Sequence, residues 1–297
     1  MTAAKPESRS EFTTLEATEV TTADGVVFTL RRLAAADPAA PVVLILPAMA
    51  MKARNYLALA KALHAQGLSV VTADLRAHGE ARPPLGEHAD FGYREMIEVD
   101  LPAIVGAVER LFPHAPLHLF GHSLGGQIAL LFAAAEPERV AGVTVIGTGT
   151  VFWYAFGPRR WFEALSQIQW IGLVSRVKGL WPGGVLIPAP MPGGVMTDWS
   201  VHSLTSYYRV RGTKRRYNDL LKRMTLPVLA ISLSEDVLGP KSNVDFLAGR
   251  MPAAKLTHWH VDENSTVTHR DHFAWIKDSP AVGAAVAQWI TTGAVGA

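Results

Sequence analysis

Short apolar runs and longer stretches with helical spacing alternate along most of this 297-residue chain. Val42–Leu46 is continuously apolar, the mark of a strand buried on both faces. Arg54–Ala65 has helical apolar spacing and stops at Gly67, a C-cap residue. Leu68–Ala73 is a second buried strand. Tyr93–Leu111 reads as a helix, with Asp100-Leu101-Pro102 marking a break or restart inside it. Leu117–Phe120 and Val140–Ile146 are further strands, separated by a Leu- and Ala-rich helix over Leu124–Ala135. Near the start, Phe12–Thr22 and Val26–Leu33 flank the Ala23-Asp24-Gly25 turn and predict a hairpin, followed by a small-residue linker, Ala34–Ala40.

The alternation stops at Val151. From there to about Lys222 the chain carries Trp153, Trp161, Trp170, Trp181 and Trp199, together with Pro182, Pro188, Pro190, Pro192 and paired glycines. This pattern predicts an inserted helical cap with a Pro/Gly-rich loop. Strand–helix alternation resumes with Val228–Leu233, Lys241–Ala248, Lys255–Val261 and a final helix over Phe273–Ile290. The expected class is therefore α/β, a mostly parallel twisted sheet with helices on both faces. Its core spans residues 12–150 and 226–297, its cap 151–225, and residues 1–11 form a flexible N-terminal segment. In such sheets ligands bind at the C-terminal ends of the strands.

Composition narrows the function. Apolar residues at 49% and charged residues at 18% exclude a disordered chain. A formal net charge of +2 gives no reason to expect nucleic acid as a partner. The absence of cysteine removes disulfides, thiolate nucleophiles and Cys-ligated zinc. Met1–Glu19 lacks the apolar core of a signal peptide, and no segment approaches ~18 uninterrupted apolar residues. The expectation is a cytoplasmic protein without stable membrane insertion. Oligomeric state is left open.

The chemistry centres on Gly121-His122-Ser123-Leu124-Gly125-Gly126, set between a strand and a helix. A serine between glycines at such a turn is a nucleophile elbow, which lifts the hydroxyl clear of the sheet. Gly121 and Gly125 stand where backbone segments approach too closely for a Cβ. A serine hydroxyl needs a base to take its proton, usually histidine, and a carboxylate to hold the base in the right tautomer. In this architecture the chain order is serine, acid, histidine. Asp236 follows the strand Val228–Leu233 and is the acid candidate, its D-x-x-x-P spacing placing Pro240 at the start of the next helix; Glu235 is its rival. His272 lies beyond the last strand and is the base candidate, with His269 as competitor. Two backbone N–H groups must face the developing oxyanion. One falls to Leu124 and the other to the loop Pro47-Ala48-Met49-Ala50-Met51, where alignment with the usual His-Gly-x pattern selects Met49.

Together these residues resemble the α/β-hydrolase fold family, serine hydrolase branch, over nearly the whole chain. Asp74-Leu75-Arg76-Ala77-His78-Gly79 is similar to that family's D-x-R-G-H-G loop, with Ala77 in place of a glycine and Glu80 where a small serine often follows. The Pro47-Ala48-Met49 start of the oxyanion loop, in place of His-Gly, resembles the serine aminopeptidase-like and lysophospholipase-like predicted hydrolases. The resemblance implies Ser123 as nucleophile, Asp236 as acid, His272 as base, and the backbone of Met49 and Leu124 as oxyanion donors. It implies hydrolysis of a small-molecule carboxylic ester, with an apolar or medium-sized acyl group, through an acyl-serine. No metal or organic cofactor is required. The cap aromatics are read as part of an acyl pocket, with Trp153, Trp161 and Trp199 as substrate-binding candidates.

Two other readings use the same fold. The acyl-enzyme can pass to an alcohol or a peroxide, as in an acyltransferase or a cofactor-free perhydrolase, and a non-catalytic small-molecule binder is the alternative of another class. His258 and His260 share one strand face at a metal-binding spacing, but no third ligand is evident nearby and an ordinary strand face is favoured. Arg209, Arg211, Lys214, Arg215, Arg216, Lys222 and Arg223 read as a solvated helix face. His78 and His122 occupy positions that are structural in the resembling family.

Overall fold

The computed structural model describes residues 11–87, 90–184 and 186–295. All but the last of the N-terminal residues expected to be flexible lie outside this range. Residues 11–14 wind as a helical turn rather than opening the first strand, because Phe12 is buried against Ala53 and Leu57. The hairpin itself forms, with β1 (Glu16–Thr21) antiparallel to β2 (Val27–Leu33).

The main sheet is built from these two and β3 (Val42–Leu46), β4 (Ser69–Thr72), β5 (Leu117–His122), β6 (Gly142–Ile146), β9 (Pro227–Leu233) and β10 (Lys255–Val261), in the order β1-β2-β4-β3-β5-β6-β9-β10. From β4 onward every pairing is parallel. A separate two-residue ladder joins β7 (Leu180–Trp181) to β8 (Met191–Pro192).

The sheet is covered on both sides. Along β3, Val42, Leu44 and Leu46 enter one apolar cluster and Val43 and Ile45 the other, the alternation expected of a strand buried on two faces. The second cluster holds α1 (Leu57–Ala65) and α8 (Ser279–Thr292), represented by Leu59, Leu63, Val282 and Val286. The first holds α2 (Leu101–Leu111) and α3 (Leu124–Ala135), through Ile104, Val108, Ile128 and Leu131. Each such side chain contributes about 1.5–3 kcal/mol by leaving water.

The helix predicted over Tyr93–Leu111 is continuous, but Met96–Asp100 is a π-helical turn just before Pro102. Pro102, which has no amide hydrogen to donate back along the helix, follows that π-helical turn, so the break that the sequence marks is a local change of helical pitch. The final helix likewise begins as a 3₁₀ turn, Ala274–Asp278, before α8.

Between β6 and β9 lie α4 (Trp161–Lys178), α5 (Gly193–Thr205) and α6 (Tyr217–Arg223), and after β9 comes α7 (Lys241–Ala248). Helices α4 and α5 pack on one another: a Cβ at Gly172 of α4 would overlap the Ser200 side chain of α5. Among the described residues no helix is long and apolar enough to cross a membrane.

Candidate active site

Strand β5 runs directly into α3 through Ser123, whose backbone sits at φ 52, ψ −115. Positive φ is costly for a residue with a Cβ and holds only where the surroundings enforce it. Here β-sheet and helix hydrogen bonds do so: Ser123 N–H donates to Ile146 O at 3.1 Å, and its carbonyl accepts from Gly126 and Gln127. The glycines give the turn its room. A Cβ at Gly121 would fall on the backbone of Gly126, and one at Gly125 on the carbonyl of Leu46.

His272 and Asp236, far apart in the chain, meet beside the elbow. His272 Nδ1 lies 2.7 Å from Asp236 Oδ2, and both side chains are buried. The other oxygen of Asp236 accepts from the N–H groups of Leu238, at 2.9 Å, and Gly239, at 2.7 Å. A carboxylate held this way accepts the Nδ1 proton of His272, which leaves Nε2 as a bare acceptor. Ser123 and His272 line the same cavity. Among the described residues the Ser123 hydroxyl has no hydrogen-bond partner.

The rivals are placed elsewhere. Glu235 is exposed and pairs with Arg270 at 2.6 Å. His269 bonds Asp278, 3.1 Å away, at the surface end of the same loop.

The N–H of Ala48 is engaged by the Tyr56 hydroxyl at 2.9 Å, whereas that of Met49 has no protein acceptor among the described residues. The N–H of Leu124, at the first turn of α3, is likewise open, as the first amides of a helix are. Ala48, Met49 and Leu124 all border the cavity.

His122, next to the serine, is fully buried, and desolvation, reinforced by nearby His272, holds it well below the ordinary imidazole range. It is a neutral structural group. Tyr56 Oη lies 2.7 Å from its Nδ1. His78 bonds the carbonyl of Arg76 at 2.8 Å. In the same loop Asp74 accepts from Ala53 N–H and Glu80 N–H, and Arg76 reaches both Asp24 and Asp100. Ala77, standing where the resembling loop has a glycine, keeps the left-handed conformation at φ 62.

The cavity encloses about 320 Å³ and is mostly apolar. Trp199 borders it. Trp153 and Trp161 do not; they pack on each other at 5.5 Å, and Trp161 is 39% exposed. Gln127 is a polar lining residue that the sequence reading did not single out, held by the Tyr93 hydroxyl at 2.7 Å and the Gly149 carbonyl at 2.9 Å. His258 and His260 both turn to Ser232 Oγ, at 2.8 Å each. Among the described residues no group of three or more His, Asp or Glu is arranged to hold a metal ion.

The sheet order, the strained serine between strand and helix, and a sequence match over residues 41–173 to the family model described as "alpha/beta hydrolase fold" agree. The chain has the α/β-hydrolase fold. Solved structures with this fold superpose on nearly all of it. Mouse alpha/beta hydrolase domain-containing protein 10 matches with a TM-score of 0.66 and 16% identity, over 94% of this chain and 100% of that one. Est1E from Butyrivibrio proteoclasticus, with ferulic acid bound, gives 0.63 and 15%, over 93% and 100%. At such identities the likeness is one of fold. In sequence, the monoglyceride lipases of rat and human are 32% and 33% identical over 92 residues. That stretch is 31% of this chain and 29% of either lipase, so the match spans less than a third of those relatives.

Proposed function

We propose that the protein is a serine hydrolase of carboxylic esters with an apolar acyl group. The observation that carries this reading is the buried Asp236–His272 pair, with His272 Nε2 left as acceptor beside the cavity that Ser123 also lines. Ser123 Oγ attacks the ester carbonyl as Nε2 of His272 takes its proton, and Asp236 holds the imidazolium that forms. The N–H groups of Met49 and Leu124 stabilise the oxyanion. Collapse of the tetrahedral intermediate breaks the C–O bond to the alcohol, which leaves with the proton from His272. Water then attacks the acyl-serine by the same route, releasing the acid and restoring the hydroxyl. The monoglyceride lipase match agrees with ester substrates.

In this reading residues 151–225 form a cap over a core of residues 12–150 and 226–297. The segment supplies Phe156, Ile168, Leu186 and Trp199 to the cavity wall, which supports an acyl group on that side. The test is a fluorophosphonate probe and p-nitrophenyl esters applied to wild type and Ser123→Ala. Labelling at Ser123, and a loss on the order of 10⁶ in turnover on its removal, are expected. A Ser123→Ala protein that hydrolyses these esters at near-normal rate refutes the proposal.

A further inference from the structure

Helix α4 is apolar on two opposite faces. One face is accounted for: Ile168 and Ile171 are buried, and Ala164, Gln167 and Ile168 border the cavity. The other is not. Phe162, Ser166, Trp170, Leu173 and Val177 follow one another at spacings of three and four residues, which stacks them in a single stripe. Its large members are 66%, 60%, 53% and 78% exposed, in chain order. A helix apolar all round is normally buried, so an uncovered stripe of this kind implies a partner.

The flanking charges say what the partner is. Arg159 precedes the helix and Arg176 and Lys178 close it, all exposed. Glu163, the acidic residue of the helix, is 3.5 Å from Arg160. Both ends of the stripe are thus basic. In a two-fold pairing of identical stripes, parallel or antiparallel, basic ends meet basic ends, which disfavours a second copy of this chain. Aromatic and branched apolar residues between basic ends instead match a helix lying on an anionic lipid surface.

We propose that this face of α4 docks on an anionic lipid bilayer, with the apolar stripe in the headgroup boundary and Arg159, Arg176 and Lys178 against lipid phosphates. Docking is independent of Ser123. Only its consequence, that the ester is drawn from the lipid into the cavity on the opposite side of α4, rests on the esterase reading.

The experiment is vesicle co-sedimentation of the full chain with phosphatidylcholine alone and with phosphatidylcholine–phosphatidylglycerol mixtures. Wild type and Ser123→Ala bind the anionic vesicles equally, more weakly at high salt, and bind neutral vesicles poorly. The double variant Trp170→Ser/Leu173→Ser, at exposed positions outside the cavity lining, loses binding on the order of a hundredfold. It keeps its circular dichroism and its rate on a short water-soluble ester. Absence of binding by wild type, equal binding by the double variant, or a wild-type dimer that the double variant dissolves without any vesicle binding overturns the proposal. Vesicle binding by a wild-type protein without esterase activity upholds docking and refutes the esterase reading alone.

Discussion

Tyr56 and His122 are joined by a buried 2.7 Å hydrogen bond that ties the start of α1 to the residue preceding Ser123. The same tyrosine oxygen accepts from Ala48 N–H at 2.9 Å. Burial pushes the phenol up, so it remains neutral, and the other ring nitrogen of His122, Nε2, meets Trp275 Nε1 on the segment that follows His272, at 3.5 Å. One hydroxyl therefore fixes the relative position of the Ala48–Met49 loop, the elbow and the histidine loop.

If those three loops carry the chemistry, Tyr56→Phe lowers kcat about tenfold with little change in KM, since it perturbs geometry rather than the cavity wall. It also leaves Ala48 N–H and His122 Nδ1 without their partner, at a cost of about 1–3 kcal/mol in stability. Steady-state kinetics and urea unfolding on the one variant measure both. An unchanged kcat in a destabilised protein would reduce Tyr56 to a packing residue.

Asp236 and Glu235 are neighbours in sequence with opposite surroundings, one buried on His272 and the other exposed on Arg270. Asp236→Asn keeps the shape but donates toward Nδ1, which selects the wrong tautomer of His272. A fall in turnover on the order of 10⁴ is expected, by analogy with serine protease triads. Glu235→Gln should leave turnover within about twofold, as a surface ion pair contributes little. The reverse pattern in ester kinetics would reassign the acid.

Much of this arrangement was legible because it is local. β3 declares itself as an unbroken apolar run since helices cover both its faces, and the elbow declares itself because only glycine fits at positions 121 and 125, two residues either side of Ser123. What stayed hidden depends on contacts between distant segments. Phe12 is as apolar as a strand residue, but its partners Ala53 and Leu57 lie some forty positions on, and it enters a helical turn. Tyr56 reads as one more apolar position of a helix, and nothing near it reveals that its hydroxyl meets His122. A tryptophan in the sequence has no direction. Trp199 turns inward from α5, whereas Trp153 and Trp161 satisfy one another outside the cavity.

Buried histidines make the stability of the fold depend on pH. Burial lowers His202, beside Thr150 and stacked on Tyr208 at 4.0 Å, to about 3, and His118 to about 4. An unfolded histidine titrates near 6.5, so below that pH the unfolded chain binds protons that the folded one refuses. Stability from each group is complete above about 6.5 and is lost as pH falls toward the folded value, by about 1.4 kcal/mol per pH unit. Asp100, pushed up to about 6 by burial against the pull of Arg76, works in the opposite direction between the usual carboxylate range and about 6. Comparison of one variant with wild type isolates the histidine. Urea unfolding of His202→Gln between about pH 4 and pH 6 should show a slope shallower by that amount. Identical slopes would mean that His202 titrates in the folded protein as it does in the unfolded chain.

The cavity wall carries the last prediction. Trp199 is 9% exposed and faces the space beside Ser123, so trimming its indole to a smaller ring makes room in the region assigned to the acyl chain. In an apolar pocket a single methylene is worth about 1–3 kcal/mol in discrimination, or roughly 10–200-fold. Trp199→Phe should therefore raise the ratio of kcat/KM for long over short acyl esters by about tenfold. Trp153→Phe, altering a ring that packs on Trp161 away from the lining, should leave that ratio unchanged. A chain-length series of p-nitrophenyl esters on both variants decides it. If the ratio moves with Trp153 and not with Trp199, the acyl chain does not lie against Trp199.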